Sequence, residues 1–78
     1  MNECYALIRS ELYFGEGSAV SYGIAHVDMR DNVPIILESV LDLSEDRASV
    51  ENLVELCNDL CLDPIHMKDV VYDFISAH

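Results

Sequence analysis

The sequence predicts an α+β fold: a three-stranded antiparallel meander followed by an αα-hairpin packed on one sheet face (β-β-β-α-α). Three observations predict it. Apolar and polar residues alternate through the first half, two turn signals cut that half into strand-length runs, and the pattern switches to helical spacing after Leu43.

The first run, residues 4–14, places Cys4, Ala6, Ile8, Leu12 and Phe14 on one side and Tyr5, Leu7, Arg9, Glu11 and Tyr13 on the other. The even-numbered side lacks charge, so it is the face expected to be buried. The turn "GEGS" (Gly15 to Ser18) follows, with glycines able to supply positive φ. The second run, 19–29, is apolar on both sides, and Gly23 within it points to a bulge or a close approach of another backbone. A turn at "RDN" (Arg30 to Asn32) leads to the third run, 33–43, where Pro34 is tolerated near a strand start or on an edge.

Serine and acids in "LSEDRAS" then supply N-cap chemistry for a helix over 46–61. Val50, Leu53, Val54, Cys57, Leu60 and Cys61 make its apolar stripe, and Glu51, Glu55, Asn58 and Asp59 fill the opposite side as a solvated acidic face. Asp63 is an N-cap, Pro64 a first helical residue, and Leu62 with Met67 a hydrophobic staple, so a second helix is expected over 64–77. Its stripe is Met67, Val70, Val71, Phe74 and Ile75.

The chain has 78 residues, read as one domain over 1–78, a size at which a single core is only just sufficient and self-association is a natural supplement. Fifteen acids against four cations give a net charge of −11. The cations Arg9, Arg30, Arg47 and Lys68 are scattered, which argues against nucleic-acid binding and against anionic membrane surfaces. No run approaches the ~20 apolar residues of a membrane span, and "MNECYALIRSEL" has no signal-peptide charge pattern, so a cytoplasmic protein is expected. Three cysteines, an odd number, fit reduced thiols better than a disulfide framework.

Two short helices cover one face of three strands and leave the other bare. With the even-numbered face of the first strand buried, the bare face carries Tyr5, Leu7, Tyr13, Tyr22 and Ile24, and these are the candidate interface residues for a homodimer or a protein partner.

Cys57, Cys61 and His66 are the candidate metal ligands. Their spacing matches none of the common zinc patterns, and on a helical wheel both thiols fall within the apolar stripe, so core packing is the reading that fits. His66 is expected to hydrogen-bond back toward the cap, and His78 to be a frayed terminal residue. No nucleophile, base and orienter can be assembled from the spacing, and neither a calcium loop nor a phosphate-binding glycine motif is present. No enzyme activity and no cofactor are therefore expected.

The run "VENLVELCNDLCLDPIHMKDVVYDF", together with "SYGI" (Ser21 to Ile24), resembles a family of short bacterial proteins classed as a domain of unknown function. The resemblance implies a cytoplasmic bacterial protein and carries no activity, cofactor or catalytic residue. Cys61 departs from the family pattern, which counts against a two-cysteine site. The expected function is a small acidic protein-interaction module, self-associating through the bare sheet face. The alternatives are a metal-binding protein using Cys57, Cys61 and His66, and an acidic nucleic-acid mimic that binds a basic protein.

Overall fold

A computed structural model describes residues 3–77. Three strands, β1 (Glu3–Phe14), β2 (Gly17–Arg30) and β3 (Val33–Ser44), form one antiparallel sheet in the order β1-β2-β3. Two helices follow, α1 (Arg47–Asp59) and α2 (Met67–Ala77), the second entered through a 3-10 turn at Pro64–His66. The predicted architecture is the observed one. His78, expected to be frayed, lies outside the described residues.

Both hairpins close on two-residue turns. Gly15 takes φ +54 in the first, and Asp31 and Asn32 take φ +53 and +62 in the second. Positive φ at both central residues is the type I′ turn, whose twist matches that of the flanking strands.

The β1–β2 ladder runs without interruption from Glu3↔Asp28 to Phe14↔Gly17. The β2–β3 ladder is broken twice. Leu37 is an extra residue between His26↔Glu38 and Val27↔Ile36, and β3 spends four steps between Val40 and Ser44 where β2 spends two between Ile24 and Tyr22. Asp42 takes φ +57 inside the second bulge, and its carboxylate accepts a hydrogen bond from the Ser21 hydroxyl. The cause is steric, because a Cβ on Gly23 would stand 2.1 Å from the Val40 carbonyl oxygen and 2.9 Å from the Leu41 Cα. The close backbone approach expected at Gly23 is present.

Asp46 caps α1, accepting from the Ala48 amide at 3.2 Å and from the Ser49 hydroxyl at 2.6 Å. The helix ends two residues before its predicted end. Leu62 N–H donates to the Cys57 carbonyl and Cys61 N–H to the Asn58 carbonyl, with Cys61 left-handed at φ +48, which is a Schellman stop built without glycine. Asp63 then caps the next turn by accepting from the Ile65 amide at 3.1 Å, with Pro64 at its first position.

α1 lies across all three strands. Val50, Leu53, Val54 and Cys57 meet Tyr5 and Ile24 of the sheet and Met67, Val71 and Phe74 of α2 in one cluster. Ile24, Val50 and Met67 are fully buried, each contributing about 1.5–3 kcal/mol. The molecule is thin, 44 × 31 × 18 Å, as one helical layer on one sheet requires. Its radius of gyration of 13.2 Å exceeds the ~11.5 Å expected for a compact chain of this length.

Replacing Gly23 by alanine forces the Val40 and Leu41 backbone away, and no side-chain rotation relieves the clash. Urea unfolding of Gly23→Ala is expected to show a loss of about 3 kcal/mol or more.

Candidate functional site

The helices cover the face opposite to the one predicted. Tyr5 is buried and Ile24 fully so, Leu7 and Tyr22 are half-buried against the same cluster, and only Tyr13 of the five interface candidates is free, at 80 % exposure. The correction has a physical reason. Polarity favours burying the uncharged side of β1 and β2, but volume beneath α1 decides otherwise: Tyr5 and Leu7 of β1 and Tyr22 and Ile24 of β2 supply the large side chains that fill that space. The opposite side supplies Cys4, Ala6, Ser10, Ala19, Ser21 and Ala25, too small to fill a core.

The polar groups on the covered face sit at its margins or are paired. Asp28 lies 2.6 Å from Arg30. The buried His26 stacks at 5.5 Å on Tyr5 and holds its Nε2 2.8 Å from Glu3 Oε1, an ion pair whenever the imidazole is protonated, although the approach lacks hydrogen-bond alignment. The Tyr5 hydroxyl donates to the Leu62 carbonyl at 2.9 Å. A cleft of about 440 Å³ opens beside these groups, with Cys4, Asn58 and Asp63 on its walls.

Asn58 ties this corner together. Its amide accepts from the Tyr5 N–H at 2.8 Å and donates to the Tyr5 carbonyl at 3.0 Å, copying the hydrogen bonds of a neighbouring strand. The sequence placed Asn58 on the outer side of α1, and nothing in its spacing announces a partner 53 residues earlier.

The three metal-ligand candidates are not brought together. Cys57 is buried in the core, as expected, but Cys61 is exposed beyond the helix stop, contrary to its place on the predicted stripe. The rotation per residue that put it in the stripe ends at Asp59. The His66 side chain is exposed and lies 3.9 Å from Asp69, rather than folding back on the cap. Among the described residues no group of three or more His, Cys, Asp or Glu side chains is placed to hold a metal.

The uncovered face is the candidate site. It runs from Ile8, Leu12 and Phe14 of β1 across Met29 of β2, beside the buried Val27, to Ile36 and Leu41 of β3. Leu12, Phe14, Met29, Ile36 and Leu41 are between 38 and 60 % exposed. β1 and β2 place no charged residue on this face and β3 places Asp42, held by the Ser21 hydroxyl in the bulge, in a chain whose net charge is −11. The signal was present in the sequence as an uncharged, small-residue side of β1 and β2, and polarity alone assigned it to the core.

The profile of a family of unknown function, DUF6514, matches residues 1–77. The chain belongs to this family. Searches among curated proteins and among solved structures give no match. Membership therefore fixes kinship over nearly the whole chain and leaves function to be argued from geometry. Among the described residues, no helix is long and apolar enough to cross a membrane.

Two predictions follow from the thiols and the buried phenol. Burial pushes the Cys57 thiol above its ordinary pKa, so a thiol reagent at pH 8 is expected to label Cys61 at once and Cys57 only on unfolding, read by mass spectrometry. Burial, with the neighbouring negative groups, also raises Tyr5. A group with a raised folded pKa holds its proton longer than the unfolded chain does, so stability present below about pH 8.5 for Cys57 and about pH 10 for Tyr5 falls as pH rises beyond it. Urea midpoints between pH 8 and 11 are expected to drop, and Tyr5→Phe is expected to flatten the upper part of that slope.

Proposed function

We propose that this chain is a small acidic protein-interaction module that self-associates through its uncovered sheet face. One observation carries the reading: an exposed apolar sheet face whose one charged side chain, Asp42, is held in the β3 bulge by Ser21, on a chain in which acids outnumber cations by fifteen to four. A contiguous exposed patch of this kind marks an interaction surface. The candidate residues are Leu12, Phe14, Met29, Ile36 and Leu41, replacing Tyr5, Leu7, Tyr22 and Ile24.

A second copy is the partner that fits. A basic protein would need several acids where it docks, and this face offers Asp42 alone, already bonded to Ser21. Across the middle of the face Ala6 and Ser39 flank the buried Ala25, and larger exposed side chains stand toward its ends. Three strands ~4.8 Å apart and about twelve residues long present roughly 14 × 40 Å, or ~550 Å² a side. The total of ~1,100 Å² clears the ~1,000 Å² of a specific interface. The proposed setting is the bacterial cytoplasm, where the unpaired Cys4, Cys57 and Cys61 stay reduced.

Light scattering after size exclusion tests the reading. The native chain is expected to be larger than a monomer at micromolar concentration, and Ile36→Arg to lower the assembly by one step while leaving the urea midpoint within about 0.5 kcal/mol, because Ile36 is 60 % exposed. A native monomer at high micromolar concentration, or an unchanged mass for Ile36→Arg, overturns it.

A further inference from the structure

The two outer strands of the sheet are not alike. β3 is blunted against further pairing by Pro34, by the bulge at Leu37 and by the kink at Asp42. β1 has no bulge and no proline over its twelve residues. Only one of its outward positions is closed, since Tyr5 directs both backbone groups away from β2 and Asn58 occupies both.

Pairing in an antiparallel ladder alternates, so residues two, four, six and eight beyond Tyr5 also direct their N–H and C=O outward. These are Leu7, Arg9, Glu11 and Tyr13. Gly15, next in the series, is already in the turn. The open edge is thus four residues long and bounded at both ends.

We propose that this edge pairs with the same edge of a second copy, antiparallel, about a two-fold axis through Ser10. Only that register uses all four outward residues of both strands. It sets Arg9 opposite Glu11 of the other copy, Glu11 opposite its Arg9, and Leu7 opposite its Tyr13. Charge and apolar surface are both complementary, and about eight backbone hydrogen bonds form. Within one chain Arg9 and Glu11 already lie 2.9 Å apart on the same side of the strand, so the pairing closes a four-charge cluster.

The packing permits it. The half of β1 beneath α1 is the Tyr5 end, and Tyr13 at the other end is 80 % exposed. Under the two-fold the covered half of one copy lies beside the bare half of the other, so the helices do not meet. The axis is normal to the sheet, and the apolar face runs on across six strands. The edge contact is independent of the face-to-face contact proposed above, and together the two build a tetramer.

The test uses charge exchange in the Ile36→Arg background, which removes the face contact. That variant is expected to remain a dimer. Adding Arg9→Glu places two glutamates opposite two glutamates, and adding Glu11→Arg places two arginines opposite two arginines. Each is expected to weaken dimerisation roughly tenfold or more. Mixing the two restores both opposite-charge pairs and is expected to recover a dimer containing one of each, resolved by native mass spectrometry, although neither chain keeps its internal Arg9–Glu11 pair. A monomeric Ile36→Arg protein, undiminished dimerisation of the single charge variants, or a mixture that stays monomeric overturns the edge contact. A monomer from Ile36→Arg alone leaves the face contact standing, and a native dimer left unchanged by Ile36→Arg removes the face contact while the edge stands.

Discussion

The fold turns on the contact between Gly23 and the backbone of Val40 and Leu41. β3 can pass so close to β2 only where β2 has no side chain, and it makes the passage by spending two extra residues between Val40 and Ser44. Strict alternation would turn Val40 and Leu43 to opposite sides. The bulge turns both into the core, beside Tyr22 and Ile24. It also delivers Ser44 to a position where its hydroxyl accepts from the Asp46 amide at 3.0 Å, and Asp46 is the cap that starts α1. One missing Cβ therefore aims the first helix, and the face that helix covers decides which face is left open.

Covering a sheet on one side has a thermodynamic consequence. The thin, two-layer molecule keeps Leu12, Phe14, Ile36 and Leu41 in contact with water, and a chain of this size has little stability to spare. The proposed self-association would remove that surface from water, against the opposition of a net charge of −11. The distribution of charge resolves the conflict. With two sheets back to back, the acidic helix exteriors, with Glu55, Asp59, Asp69 and Asp73, point away from each other across two sheets and two helical layers. That separation is several times the ~8 Å over which charges act at physiological ionic strength. The repulsion that keeps the outer surfaces apart does not reach the interface.

Much of this was legible in the sequence. Element order, both turns, Asp63 with Pro64 and the special character of Gly23 all rest on local chemistry, and local chemistry is what a sequence displays. The face assignment rests on something else. Polarity points to the uncharged side of β1 and β2, and volume beneath α1 overrides it: Tyr5, Leu7, Tyr22 and Ile24 fill a core that Ala6, Ser10, Ser21 and Ala25 cannot. Cys61 shows a second boundary of sequence reasoning. A left-handed stop normally announces itself with glycine, and here a cysteine adopts φ +48, so the helical wheel was extended one turn too far. Asn58 shows a third, because a side chain that imitates a neighbouring strand leaves no periodic trace.

The four cations refine the argument about surfaces. Each stands beside an acid of its own chain: Arg9 by Glu11, Arg30 by Asp28, Arg47 by Glu51, and Lys68, at 3.9 Å, by Glu38. Arg30 pins the end of a hairpin, Arg47 supports the first turn of α1, and Lys68 reaches from α2 toward β3. Arg9 and Glu11 bond each other and, respectively, the side chains of Tyr22 on β2 and Tyr13 on β1. They are two residues apart on one exposed strand, where a neighbouring pair contributes little because both side chains remain in water. What distinguishes them is placement, on the one stretch of sheet edge that carries neither bulge, proline nor a side-chain cap, in an order that is its own complement when the strand is reversed. A cation in a chain this acidic has many places to neutralise charge, and this one sits where it also sets a register.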